Sequence, residues 1–158
     1  MEFLLKEFES ISAADFIESY PVDLDIYSDK LEELGEQIDS LVNKFLHGAT
    51  QETADALCMH FEQYADVISN IPEFVNLNHA IHQLSSIFTH INFDQDVHEY
   101  FDLLAGISRE LDKWRISIFD SKDADNIHYL DQSLISDCMM LEQLISGDND
   151  EDGDMEFF

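Results

Sequence analysis

The chain has few basic residues and no long apolar run. Only seven Lys and Arg stand against 35 Asp and Glu, which gives a formal net charge of −28. A field of this sign repels the phosphates of nucleic acids and of anionic lipids, and it speeds the encounter with basic partners. We therefore expect no direct binding to nucleic acid. Because no stretch of about 18 apolar residues occurs, we also expect no membrane-spanning helix.

Proline, glycine and cysteine are also scarce. Two prolines and five glycines in 158 residues leave long stretches without the residues that interrupt helices. The two cysteines, Cys58 and Cys138, lie inside helical apolar patterns and form no CxxC motif. We expect both to be buried thiols in a reducing cytoplasm. The acidic start, MEFLLKEFES, is not typical of a secretion signal, so the chain is expected to be cytoplasmic.

Apolar residues recur at helical spacing along nearly the whole chain. Steps of three and four predict long helices near 27–47, 51–71, 73–91, 95–119 and 125–145. A short helical segment is expected before Pro21. Pro72 favours a helix start, and Asn92 with Gln95 resembles a capping box. Since short connections make neighbours antiparallel, the sequence predicts an all-α, up-down antiparallel bundle of about five long helices over residues 1–147.

The segment after this bundle, residues 148–158, reads DNDEDGDMEFF. Its acids and its glycine predict a disordered tail. It has two interpretations. The tail either binds a protein partner, with the acids steering and Phe157 and Phe158 filling a pocket, or it only increases solubility.

Residues 74–93 contain no Asp, Glu, Lys or Arg, although more than a quarter of the chain is charged. With Ile81 and Phe88 taken as core positions, helical spacing places a polar, neutral face on the opposite side. That face consists of His79, His82, Ser86 and Thr89, with His90 beside them. It indicates either a helix covered on both sides, where charges would be costly to desolvate, or a docking surface within an acidic surround.

The stretch AIHQLSSIFTHI, with the amphipathic helix before it, resembles the phosphorylatable helix of histidine-phosphotransfer domains, over about residues 51–120. The motif of that family runs His, any residue, Leu, Lys, Gly. His82 and Leu84 match it, while Ser85 and Ser86 replace the Lys and the Gly. The resemblance implies a helical signalling bundle that docks on response-regulator receivers. It also implies that His82 accepts a phosphoryl group and that Ser86 leaves room for the receiver to approach.

The charge supports an alternative function, in which the chain mimics nucleic acid and binds a basic DNA-binding protein. A mimic needs carboxylates in rows at phosphate-like spacing, whereas a docking module needs the neutral helix to be exposed. Both functions require a protein partner, and neither fixes an oligomeric state.

Two further clusters contain charged residues that could bind a ligand. Asp94, His98 and Asp102 would share one helical face, but such a ladder is more typical of a solvated face, so neither a metal nor a cofactor is predicted. Several basic residues gather around Trp114, where they either receive an anion or pair with carboxylates of the same bundle. They are Arg109, Lys113, Arg115 and Lys122. No complete catalytic motif occurs, so the sequence does not predict an enzyme.

Overall fold

The computed structural model describes residues 7–146, which contain six α-helices. They are α1 (Ala13–Ser19), α2 (Asp25–His47), α3 (Gln51–Ile68), α4 (Val75–Ile87), α5 (Phe101–Arg115) and α6 (Asp131–Ser146). No strand occurs within residues 7–146, so the all-α prediction is confirmed. None of these helices is both long enough and apolar enough to cross a bilayer. The predicted tail, with Phe157 and Phe158, lies outside the described residues.

The five longer helices form a closed ring. In order around the ring, α2 contacts α3, α3 contacts α4, α4 contacts α6, α6 contacts α5, and α5 contacts α2. The α3–α4 pair is antiparallel: Asn78 donates to the carbonyl oxygen of Ala65, whereas Ser85, further along α4, donates to Glu62, further back on α3. The three-residue connection between α2 and α3 and the α2–α5 contact agree with the predicted up-down order.

The α4–α6 pair is parallel. Asn76 donates to Asp131 over 3.0 Å, and Cys138 contacts the carbonyl oxygen of Ala80, so the contacts advance in the same direction along both helices. A ring with an odd number of helices cannot alternate in direction throughout, so one neighbouring pair has to be parallel. Here α5 follows α4 and precedes α6 in the chain, so the chain can reverse its direction twice and α6 can run parallel to α4.

An aromatic cluster closes the core near the start of α4. The ring of Phe74 lies 5.0 Å from Trp114 and 5.4 Å from Phe16, and Trp114 lies 5.7 Å from Phe119. Phe74 and Trp114 are fully buried. Since truncating a buried aromatic side chain costs about 3–5 kcal/mol, this cluster is a principal anchor of α4.

The start of α4 follows the sequence signals, but the helix is shorter than predicted. Pro72 opens a 3₁₀ turn, Pro72–Phe74, that leads into α4, as its missing N–H allows. A second 3₁₀ turn, Phe88–His90, follows the helix. The predicted helix at 73–91 is therefore three consecutive pieces, two 3₁₀ turns with α4 between them.

The predicted helix at 125–145 begins only at Asp131. The preceding segment instead pairs with the N-terminal part of the chain: Ile127 N–H donates to Ile11 over 2.8 Å, and Ala13 N–H donates to Ala124 over 2.9 Å. These bonds occupy backbone groups that a helix would have used. The stretch before Asp131 is consequently a series of turns that fixes α1 against the bundle.

The predicted helix at 95–119 is also interrupted. A 3₁₀ turn, Val97–Glu99, precedes α5, and a π turn, Ile116–Asp120, follows it. The expected capping box is wrong, because Asn92 Oδ1 accepts from the N–H of Asp94 and so stabilises a turn. The side chain of Asp96 caps the 3₁₀ turn instead.

This interruption separates the predicted acid–His–acid ladder. Asp94 lies in the turn, His98 in the 3₁₀ turn and Asp102 in α5, so the three do not share one helical face. His98 Nδ1 instead contacts Asp96 Oδ1 at 2.9 Å on the exposed surface.

Candidate functional site

One strip of α4 and the turn after it is open to solvent. It consists of His79, His82, Ser86, Thr89 and His90, and we call it the α4 surface. The rest of α4 packs against α3 on one side and against α6 on the other, which is why its apolar residues are buried. The helix is thus covered on two sides, while the predicted polar face between them remains exposed.

His82 lies at the α3 edge of this surface. Its side chain is 41% exposed, and its Nδ1 lies 3.1 Å from Oε1 of Glu62 on α3. In a neutral imidazole this contact places the ring proton on Nδ1, which donates to the carboxylate, and leaves the lone pair on Nε2. Glu62 therefore orients the ring and selects its tautomer.

The Glu62 carboxylate is itself held by Ser85. The Ser85 hydroxyl is buried and donates to Glu62 Oε2, while it also lies 2.8 Å from the carbonyl oxygen of His82. The Ser85 bond, together with His82, holds the pKa of Glu62 below its ordinary value. The side chains of Ser85, Glu62 and His82 thus form a chain of polar contacts from the buried seam to the surface.

Cys58 lies one turn before Glu62 on α3. It is half-buried, so the expectation of two buried thiols holds fully only for Cys138. Burial raises the pKa of Cys58, and the charges of Glu62 and Asp55 raise it further. Burial raises the pKa of Cys138 to about 12. Because a thiol is nucleophilic only as the thiolate, neither cysteine is activated.

The hydroxyls of the α4 surface turn back onto their own helix. Ser86 Oγ donates to the carbonyl oxygen of Gln83 over 2.8 Å, and Thr89 Oγ1 donates to that of Ser86 over 2.7 Å. Beside them lies a cavity of about 280 Å³ between α4 and α6. Its lining consists of Ser86, Ile87, His90, Glu142 and Ile145.

The structure adds two carboxylates that sequence reasoning did not single out. Glu62 and Asp66 lie one turn apart on α3, and each offers an oxygen within 4.8 Å of a ring nitrogen of His82 and of the other carboxylate. The only signal in the sequence is their spacing of four residues. Their approach to His82 depends on the pairing of two helices, which apolar periodicity does not specify.

The positions that replace the Lys and Gly of the histidine-phosphotransfer motif differ in exposure. Ser85, at the Lys position, is buried against α3, whereas Ser86, at the Gly position, is exposed. Within residues 74–93 no Lys or Arg accompanies His82, so this surface lacks the cation that the motif supplies.

Two of the four basic residues around Trp114 form ion pairs with nearby carboxylates. The Arg115 guanidinium is buried and contacts Asp120 at 3.0 Å and Asp112 at 3.4 Å. Lys113 lies 3.9 Å from Glu110. For Arg115 and Lys113, these contacts support the interpretation in which carboxylates of the same bundle neutralise the basic residues.

No protein-family model matches this chain, and comparisons with curated proteins and with solved structures give no significant match. A function can therefore be inferred only from the geometry of the α4 surface and its surroundings.

Proposed function

We propose that the chain is a cytoplasmic signalling module that docks on another protein, of the response-regulator receiver class, through the α4 surface. In this proposal His82 is the residue that accepts a phosphoryl group. His79, Ser86, Thr89 and His90 form the contact surface around it.

The observation that carries the proposal is an accessible, oriented imidazole on a strip free of charge. The surrounding carboxylates would attract a basic rim on the partner. The neutral strip would permit close contact without burying an unpaired charge. Ser86 is small and its hydroxyl is bound to its own helix, so it leaves space one turn after His82.

The transfer would use the tautomer that Glu62 selects. The lone pair of Nε2 attacks phosphorus, the P–N bond forms, and the bond from phosphorus to the oxygen of the donor carboxyl breaks and leaves a carboxylate. The Nδ1–H bond to Glu62 stabilises the positive charge that develops on the ring. Glu62 and Asp66 also repel the incoming phosphoryl group, so we expect transfer to be slow and docking to be the more robust property.

The test is incubation with receivers that carry a labelled phosphoryl group. Wild type should acquire acid-labile label, and His82→Gln should acquire none. His98→Gln is the matched control, since it removes an exposed imidazole outside the α4 surface and should keep the label. Label that persists in His82→Gln would assign the acceptor elsewhere. Docking of both proteins without label would leave a binding module only.

A second candidate function, the nucleic-acid mimic, is favoured by the surface of α2. Its exposed carboxylates are Asp25, Asp29, Glu32, Glu33, Glu36 and Asp39. At 1.5 Å per residue, these six carboxylates supply one charge per roughly 4 Å of the helix between Asp25 and Asp39. A DNA strand carries one charge per roughly 3.4 Å of axis. The row is interrupted by Lys30, which lies 3.7 Å from Glu33, and it occupies a different part of the ring from the α4 surface.

A further inference from the structure

We propose that Glu62, Asp66 and His82 form a binding site for one divalent transition-metal ion, with Zn²⁺ as the best fit. Two carboxylate oxygens from α3 and one imidazole nitrogen from α4 converge across the seam between these helices. The proposal does not rest on phosphotransfer, because it concerns the binding of the ion itself. With the ion on Nδ1 the ring proton would occupy Nε2, so the metal-bound form could not accept a phosphoryl group.

The distances are close to those of a coordination sphere. Ligands at about 2.0–2.2 Å from a tetrahedral Zn²⁺ stand roughly 3.3–3.6 Å from one another. His82 Nδ1 and Glu62 Oε1 are 3.1 Å apart. One ring nitrogen of His82 and one carboxylate oxygen each from Glu62 and Asp66 all lie within 4.8 Å of one another. Asp66 is exposed, so a small rotation of its side chain can bring the third ligand into place.

The charge of this group is uncompensated. Within residues 7–146, neither Glu62 nor Asp66 has a Lys or Arg at ion-pair distance. Two carboxylates and a neutral imidazole would neutralise a divalent cation. The net charge of −28 further raises the local concentration of cations around the protein.

The surroundings already orient the ligands. Ser85 bonds Glu62 Oε2, which leaves Oε1 free for the ion, and hydrogen bonds of this kind to ligating carboxylates are typical of metal sites. The ion would replace the proton that Nδ1 shares with Glu62. That proton moves through solvent to Nε2, so the imidazole stays neutral and Nδ1 supplies its lone pair.

The imidazole decides the class of metal. Mg²⁺ and Ca²⁺ prefer oxygen ligands, whereas an imidazole with two carboxylates suits Zn²⁺ and its neighbours in the first transition row. Three protein ligands leave the fourth position of a tetrahedral ion to water.

The test is calorimetric titration of the full chain with ZnCl₂, together with NMR of the imidazole rings. Wild type should bind one ion at a site that shifts the ring signals of His82. The substitutions His82→Gln and Asp66→Asn should each weaken binding at this site by at least about 10-fold, and Ser85→Ala by about 10-fold, since second-sphere changes commonly cost 10–100-fold. At about pH 5 wild type should bind much more weakly than at about pH 7.5, because metal must compete with protons for the imidazole.

The matched control is His98→Gln. His98 also contacts a carboxylate, Asp96, at 2.9 Å, but it does so on the surface and without a second acid from a neighbouring helix. This variant should bind Zn²⁺ as wild type does. The proposal is overturned if no ion binds, if His82→Gln binds as tightly as wild type, or if His98→Gln loses as much affinity as His82→Gln. Equal affinity for Mg²⁺ and Zn²⁺ would also overturn it, since the imidazole would then contribute nothing.

Discussion

Asp131 is a carboxylate buried at the first position of α6. Its Oδ2 accepts a hydrogen bond from Asn76 over 3.0 Å and lies 3.5 Å from Nδ1 of His128, on whose ring Phe8 stacks at 4.4 Å. Its Oδ1 has no hydrogen-bond partner among residues 7–146. Burial raises the pKa of Asp131, and the contacts with Asn76 and His128 oppose this rise only in part.

The raised pKa predicts how Asp131→Asn should change stability with pH. A carboxyl whose pKa is higher in the folded than in the unfolded protein binds protons preferentially in the folded state. Its favourable contribution is present below the unfolded pKa, about 3.9, and is lost as pH rises through the folded value. Urea unfolding from about pH 4 to 7 should therefore show Asp131→Asn gaining stability relative to wild type as pH rises.

The control for this prediction is Asp29→Asn, which removes one negative charge from an exposed position on α2. It separates the effect of burial at Asp131 from the general effect of reduced net charge. A difference between Asp131→Asn and wild type that does not change with pH would contradict the prediction.

The end of α5 depends on a buried cation. The Arg115 side chain is 5% exposed, and its strongest contact, at 3.0 Å, is to Asp120, the last residue of the π turn Ile116–Asp120. Asp112, one turn back, contributes a longer contact at 3.4 Å. The Arg115 guanidinium thus links the last turn of α5 to the end of the π turn.

Asp120→Asn should destabilise the protein by about 1–3 kcal/mol, because a hydrogen bond to a buried charge is lost or weakened. The measurement is thermal unfolding followed by the fluorescence of the single, buried Trp114, which adjoins this element. Asp39→Asn, on the exposed face of α2, is the matched control and should change stability by less than about 0.5 kcal/mol. Equal midpoints for the two variants would show that Asp120 is dispensable to the π turn.

The interiors of the helices could be predicted from the sequence, whereas several ends could not. α2 and α3 follow from apolar residues at steps of three and four, and Thr50 with Thr53 caps α3 locally. The delayed start of α6 could not be predicted, since it results from bonds between Ile127 and Ile11, which are distant in the chain. Periodicity records which face of a helix is apolar but not which other segment competes for its backbone.

The same distinction applies to the site. The exposure of His79, Ser86 and Thr89 follows from their phase relative to the buried residues of α4. The approach of Glu62 to His82 depends on the offset between two helices, which is set by packing across their interface. Side chains that meet across a seam are therefore the part of the site that the sequence did not reveal.

The charge is the dominant feature of this protein. Seven basic residues cannot neutralise 35 acidic ones, and only six of those acids lie in residues 148–158. The described ion pairs of Lys30 and Lys113 are exposed and long, at 3.7 and 3.9 Å, so each contributes little. Repulsion between like charges should therefore outweigh attraction in the folded protein.

Moderate salt should stabilise the protein relative to very low salt, because a Debye length of about 10 Å at 0.1 M screens this repulsion. The measurement is the thermal midpoint in buffers of about 10 and 200 mM NaCl, which we expect to rise by a few degrees. A fall in the midpoint would mean that the few ion pairs, above all that of Arg115, dominate the electrostatic free energy.

The central proposal is that a partner docks on the α4 surface, and the most direct measurement is the affinity of a receiver for two variants. Ser86→Arg places a long cation in the middle of that surface, whereas Ser40→Arg places the same side chain at an exposed position on the acidic helix α2. Docking predicts that Ser86→Arg weakens binding at least about 10-fold, or about 1.4 kcal/mol, while Ser40→Arg binds as wild type does. Unchanged binding by Ser86→Arg, or a loss confined to Ser40→Arg, would contradict the proposal and would place the interface on α2.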